Sequence, residues 1–263
     1  MRLGTIFDYR GIRKISIERE RTMVRHDRKK VSLILPTYNE VSSIRKVIEE
    51  FEATGLVDEI VVVNNNAAAG TSEEVNKTSA REVFEPRQGY GRAIRSGFEA
   101  ADGDLIVVCE PDDTFVGADI KKLIAYADDF DFVIGTRTHR ELIWSGANMG
   151  FFLRWGNYAV AKMIEFLFNT TNLTDVGCTF RLIKREALLR MKPYFTVTGS
   201  HFGPQMILLS IRLHIPMIQI PINYKTRVGT SSVTGSFFNA LAVGVRMILM
   251  VMRYRLSVSL HER

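Results

Sequence analysis

Four short runs of residues, 31–36, 59–63, 104–109 and 130–134, are apolar almost throughout, which is the mark of strands buried on both faces. Between them apolar positions recur at helical spacing. Ile44, Val47, Ile48 and Phe51 form one face of a helix expected over 42–54, which Gly55 ends. Helices are expected likewise over 91–101 and 119–127. Buried strands alternating with helices predict an α/β domain, a mostly parallel sheet flanked by helices. Ligands of such sheets gather at the carboxyl ends of the strands.

The polar residues fall where that rule needs them. Pro36-Thr-Tyr38-Asn-Glu40, Asn64-Asn-Asn66, Glu110-Pro111-Asp112-Asp113 and Gly135-Thr-Arg137 each follow an expected strand directly, so one edge of the sheet would collect all four loops. After residue 140 the pattern changes. Amphipathic helices are expected near 151–168 and 236–252, with Asp175-Val-Gly-Cys-Thr-Phe-Arg181 and Arg227-Val-Gly-Thr-Ser between them. The chain divides into a basic arm (1–30), an α/β domain (31–233) and a C-terminal amphipathic segment (234–263).

Composition narrows the setting. Of 263 residues 46% are hydrophobic and 24% charged, enough for one large core. Two cysteines cannot build a disulfide framework, which points to a reducing compartment. The formal charge is +6, and the arm alone carries ten Lys/Arg against four acids, so the remainder is neutral. The arm is suited either to anionic lipid or to solvent. No apolar stretch follows it, which excludes a secretory signal there. Arg246 interrupts the most apolar stretch, 237–252, so an interfacial helix fits better than a span. A nucleic-acid binder is excluded because the basic excess stays in the arm and no aromatic stacking platform accompanies it.

Carboxylates at the end of a buried strand suit a hard divalent cation, Mg²⁺ or Mn²⁺, which stabilises a diphosphate leaving group as a Lewis acid. Glu110, Asp112 and Asp113 are the candidate ligands. Gly91 and Arg92 open a helix and are candidates for holding phosphate. The position three residues after Gly91 is Ile94, which argues against a dinucleotide fingerprint. Arg137, Arg181 and Arg227 sit in loops and suit bidentate contact with an anionic acceptor. Asp175 lies in an uncharged stretch. It would be a general base toward a hydroxyl acceptor, or would orient an arginine if the acceptor is an ionised phosphate. His201 is either structural or part of the acceptor region.

In this order, with Gly89-Tyr-Gly-Arg-Ala93 and Ala101-Asp-Gly-Asp104, these segments resemble family 2 glycosyltransferases, and most of all the dolichyl- and polyprenyl-phosphate sugar synthases. The likeness covers residues 31 to about 233. It implies a GT-A fold, Mg²⁺ or Mn²⁺, and inverting transfer from a nucleotide-diphosphate sugar, UDP- or GDP-linked, to a polyprenyl phosphate. It also implies a peripheral position on the cytoplasmic face of a membrane, and it leaves a homo-oligomer open. Pro36, Tyr38, Glu40 and Asn64 then fall on the nucleoside. Glu110, Pro111 and Asp112 form the metal motif, Arg137 and Arg227 contact phosphate, and Asp175 faces the acceptor. Four places depart from the pattern: Asn64 stands where an acid is usual, Glu110 where aspartate is usual, Gln205 where glutamate is common, and Ser232-Val233 where a lysine usually follows the Arg227 loop. Transfer to a polysaccharide or glycolipid hydroxyl, or nucleotide-sugar binding without turnover, are the alternatives.

Overall fold

The structure, a computed structural model, describes residues 28–147, 151–229 and 237–257. All but the end of the basic arm, and Ser231, Ser232 and Val233, lie outside the described residues. Seven strands form one sheet: β1 (Val31–Thr37), β2 (Glu59–Asn64), β3 (Arg81–Phe84), β4 (Leu105–Val108), β5 (Phe132–Thr136), β6 (Arg181–Lys184) and β7 (Met217–Pro221). Their spatial order is β3-β2-β1-β4-β6-β5-β7. Pairing is parallel except along β6, which runs antiparallel to both β4 and β5. The expectation of a mostly parallel sheet holds, with this one reversed strand at its centre.

Strands β1, β2, β4 and β5 are apolar and buried along nearly their whole length because helices cover both faces. Alternate residues of each strand point to opposite sides. Leu33, Leu35, Val62, Val107 and Val133 pack beneath α1 (Ile44–Ala53) and α4 (Ile120–Tyr126). Ile34, Val61, Val63, Val108 and Ile134 pack beneath α3 (Tyr90–Ala100), α5 (Phe151–Phe168), α6 (Arg185–Met191), α7 (Phe202–Arg212) and α8 (Phe237–Leu256). The α1 stripe foreseen from spacing, Ile44, Val47, Ile48 and Phe51, is fully buried. Each such side chain contributes roughly 1.5–3 kcal/mol of transfer free energy. A short helix, α2 (Thr71–Val75), precedes the edge strand β3. The amphipathic segment foreseen after residue 233 also joins the body of the protein. Met250 and Val251 of α8 are buried in the core, and Tyr254 accepts a 2.8 Å hydrogen bond from Gln205 on α7.

Because β1, β2, β4 and β5 run in the same sense, their carboxyl ends meet on one edge. The reversal of β6 brings its amino end there too. That delivers Asp175 and the loop before Arg181 to the same edge, which the parallel pattern alone does not require.

Candidate active site

The ends of β4 and β5, the loop before β6 and the segment after β7 build a charged cluster of Glu110, Asp112, Arg137, Asp175 and Arg227. Asp112 is buried, and its Oδ1 accepts from the backbone N–H and hydroxyl of Thr114 at 3.0 and 2.5 Å. Its Oδ2 is buried and makes no hydrogen bond among the described residues, although Nη2 of Arg227 lies 2.6 Å away. That distance makes an ion pair; the direction does not make a hydrogen bond. The same Nη2 donates to Glu110 Oε2 at 3.1 Å. Burial, and then the neighbouring Asp112 charge, pushes the Glu110 carboxyl up to about 7. One guanidinium therefore bridges two carboxylates that repel each other.

Arg227 is held there by its own chain. Asn223 donates to Asp119, Tyr224 N to Leu142 O, Lys225 N to Thr114 O, and Val228 N to Asp112 O. These bonds stitch the segment after β7 across the ends of β4 and β5. Lys225 adds ion pairs to Glu50 and Asp113 at 3.0 and 2.7 Å, and Lys46 pairs with Asp113 as well. Asp113 was expected among the metal ligands. Its left-handed backbone turns it to two lysines instead, so it anchors the loop rather than joining Glu110 and Asp112.

Asp175 is wholly buried and saturated. Arg137 donates to it from Nε at 2.8 Å, Nη2 at 3.0 Å and its backbone N at 3.2 Å, and Gly177 N donates at 3.0 Å. Burial opposes its ionisation, but the Arg137 charge and these hydrogen bonds outweigh it and hold the carboxyl below its ordinary value. Gln219 of β7 fixes the backbone of Thr174 and Asp175 through both ends of its amide. Of the two roles expected for Asp175, general base or orienter of an arginine, the hydrogen bonds are those of the second: both carboxylate oxygens accept two N–H groups each, three of the four from Arg137. The side-on pair leaves Nη1 of Arg137 pointing away from Asp175, while the guanidinium lies 5.3 Å from the centroid of the Tyr224 ring.

Other expected residues take different places. Arg181 was expected to meet acceptor phosphate, but its guanidinium is buried and donates to the carbonyls of Cys178, Gly203 and Val176. It ties β6 to α7. Gly91 and Arg92 were expected to offer amides to phosphate. Both amides already donate to Thr198 O, and a Cβ on Gly91 would lie 2.9 Å from Val197 O, so close packing explains this glycine. Asn64 was expected on the nucleoside. Its amide donates to Ser72 and Glu82 and accepts from Ala67 N, which joins β2 to β3 and α2. Glu40 closes its own loop by accepting from Thr37, Tyr38 N and Asn39 N, while Tyr38 stays exposed beside it. Pro36 is buried in β1, and Pro111 is buried with its carbonyl held by Ser43 at 2.7 Å. His201 precedes α7, half-buried, and its Nδ1 has no hydrogen-bond partner among the described residues.

Sequence reasoning missed Asn65. It is buried, donates to the carbonyls of Glu85 and Arg87, and accepts from Gly89 N, so it shapes the whole 85–89 turn into α3. Its signal was present, a buried-strand register continuing one residue past Asn64. Gln205 has a structural reason too. Fully buried, its oxygen accepts from Thr196 N and Val197 N, and its nitrogen donates to Thr196 Oγ1 at 2.7 Å and Tyr254 Oη. A glutamate here could keep the two backbone bonds and draw on both hydroxyls, but it would bury a charge and set an oxygen against the Tyr194 carbonyl, to which the amide nitrogen now donates at 3.5 Å. We expect Gln205→Glu to cost about 3 kcal/mol and to lower Tm by roughly 6–12 °C. An unchanged thermal midpoint would show that the network tolerates an acid.

The family model Glycosyl transferase family 2 matches residues 32–191. A dolichyl-phosphate β-glucosyltransferase of Saccharomyces cerevisiae is 23% identical over 259 residues, covering 87% of this chain and 76% of the relative. A dolichyl-phosphate hexose transferase of Haloferax volcanii is 26% identical over 230 residues, covering 87% and 96%. Among solved structures, glucosyl-3-phosphoglycerate synthase from Mycobacterium tuberculosis with UDP bound superposes at a TM-score of 0.68 and 17% identity, over 86% of this chain and 80% of that one. The same enzyme with Mn²⁺, UDP and glucosyl-3-phosphoglycerate gives 0.66 at 16% identity, over the same shares of the two chains.

Proposed function

Because the chain belongs to glycosyl transferase family 2 and is a glycosyltransferase, we propose that it transfers a hexose from a UDP- or GDP-sugar to a polyprenyl phosphate at a membrane surface. The observation that carries the acceptor is the closed Arg137–Asp175 pair. A hydroxyl acceptor needs a base with a free lone pair. Asp175 has none, since four N–H groups fill it. A phosphate acceptor is ionised already and needs cations to place it. Arg137 and Arg227 are such cations, one stiffened by Asp175 and the other by the stitched loop. The relatives named for dolichyl phosphate point the same way.

The donor diphosphate belongs at Glu110 and Asp112. Two carboxylates, one with a buried oxygen short of a hydrogen bond and both needing a cation, fit Mg²⁺ or Mn²⁺. Among the described residues no third His, Cys, Asp or Glu completes a cage. Phosphate oxygens and water would complete the shell, and the ion would neutralise the leaving diphosphate. Arg227 now balances both acids; freed from them, it is within reach of phosphate. Tyr38, Glu40, Pro36 and Asn64 border the loops where the nucleoside would lie, with Asn64 and Glu40 shaping the walls. Inversion follows when the acceptor phosphate attacks from the face opposite the leaving group. The deciding experiment is release of nucleoside diphosphate from UDP- and GDP-sugars with Mn²⁺ and a polyprenyl phosphate. Release that ignores the lipid would favour a hydroxyl acceptor. Binding without release on any acceptor would favour the degenerate-site alternative.

Glu110 makes the cation step pH-dependent. Its folded value, about 7, lies above that of a free glutamate. Its protonated form therefore stabilises the fold fully below about pH 4.3, and that contribution is lost as pH rises through 7. A cation needs the ionised form. We expect Mn²⁺ affinity with UDP or GDP present to rise up to tenfold per unit below pH 7 and level off above it. Affinity that stays flat from pH 6 to 8 would remove Glu110 from the site.

No helix among the described residues is long and apolar enough to cross a membrane. Yet Leu241, Val245, Ile248, Leu249, Met252 and Leu256 are exposed along one face of α8, beside Arg246, Arg253 and Arg255, and Trp155 and Phe166 are exposed on the adjoining α5. An apolar face bordered by arginine suits the interface of an anionic bilayer, where a lipid phosphate resides. We expect Ile248→Glu/Leu249→Glu to cut binding to anionic vesicles by roughly a hundredfold, since each leucine-sized side chain contributes about 1.5–3 kcal/mol. The fold stays intact because both positions are exposed. Full vesicle binding by this variant would place the membrane contact elsewhere.

A further inference from the structure

A cavity of about 30 Å³ lies between α3, α7 and the loop before β6. Tyr90, Thr179, Ser200, Arg181 and Gly203 line one part of it, and Val108 and Ile94 another. Tyr90 Oη and Thr179 Oγ1 are both shielded from water and make no hydrogen bond among the described residues. A buried hydroxyl without a partner forfeits a hydrogen bond it would make in water. Two of them on one cavity point to an occupant that carries a donor and an acceptor. The arginine does not supply it, since its bonds go to backbone carbonyls.

The cavity adjoins the acid pair. Val108 is two residues before Glu110, and the charges of Glu110 and Asp112 both act on the Tyr90 hydroxyl. A sugar whose diphosphate is held at Glu110 and Asp112 would have this cavity beside it. The space admits a group of about one water's size, which excludes a sugar ring. A hydroxymethyl matches the lining: its carbon covers Val108 and Ile94, and its oxygen accepts from one hydroxyl and donates to the other. Resting on the transferase reading above, we propose that the Tyr90–Thr179 cavity receives the C6 hydroxymethyl of the transferred hexose and selects donors that possess it.

The test compares affinities in the presence of Mn²⁺ for UDP, UDP-glucose and UDP-xylose, and for GDP, GDP-mannose and GDP-6-deoxymannose. Wild type is expected to prefer the C6-hydroxylated sugar of the pair it recognises by roughly ten- to a hundredfold. In Tyr90→Phe and Thr179→Val that preference falls toward unity while the affinity for UDP or GDP alone is unchanged. Neither variant should lower Tm, because each removes a hydroxyl that has no partner. Equal affinity of wild type for both sugars, or a preference that survives both substitutions, overturns the proposal and leaves the cavity a water site. A wild type that binds neither UDP nor GDP overturns the UDP- or GDP-sugar donor proposed above, and this inference with it.

Discussion

Asp112→Asn is expected to reduce metal-dependent release of nucleoside diphosphate by about 10² to 10³-fold, the usual effect of removing one preorganised electrostatic partner of a leaving group. The substitution is chosen because it separates charge from scaffold. Oδ1 of Asp112 accepts from Thr114 N and Oγ1, and an asparagine oxygen can keep both bonds. What disappears is the negative charge at Oδ2, now 2.6 Å from Arg227. Without that charge Glu110 loses the neighbour that, after burial, contributes most to its raised value, so its carboxyl should ionise at lower pH. Three measurements on the same protein decide the matter: release rate, Tm, and the pH dependence of Mn²⁺ affinity. Full activity in a folded Asp112→Asn protein would remove this residue from the site, whatever the fold.

The second large effect concerns stability as much as turnover. Asp175→Asn leaves Arg137 buried opposite a neutral amide whose NH₂ faces guanidinium donors. Breaking one partner of a buried pair typically costs about 3–5 kcal/mol, which corresponds to a fall in Tm of roughly 6–20 °C for a domain of this size. Turnover should fall with it by about ten- to a hundredfold, because Arg137 loses the fork that aims it. The pH profile checks the cause. Asp175 has its folded value held below that of an unfolded aspartate, about 3.9. Its contribution is present above that value and lost as pH falls through the lower folded one. The acid limb of the stability curve should therefore flatten in Asp175→Asn. A loss of activity beyond 10⁴-fold with Tm unchanged would instead mark Asp175 as the base of a hydroxyl acceptor, and would return the acceptor question to that alternative.

Gly91 and Arg181 show why residue type and position were insufficient. Each occupies a loop or helix start where phosphate binding is chemically sensible. Each is used for packing, because Thr198 O for Gly91 and Gly203 O for Arg181 come within reach only once the chain has folded. Asp113 differs from Asp112 by one backbone rotation, its positive φ, which no one-dimensional spacing records.

The sequence by itself determined the layered α/β architecture, the edge on which function gathers, and the acidic motif at the end of β4. These follow from local periodicity and from the rule that parallel strands present their carboxyl ends together, so they depend on neighbours a few residues apart. Strand β3 escaped because Arg81–Phe84 is a half-exposed edge with no apolar run. The reversal of β6 escaped because a four-residue strand carries no sign of its direction. Only the tertiary structure decided which charges are free: Asp175 is closed by Arg137 from 38 residues away, and Glu110 and Asp112 are bridged by Arg227 from 117 and 115 residues away. Hydrogen-bond saturation depends on distances of about 3 Å between segments remote in the chain. It is fixed when the sheet closes and its loops are stitched together.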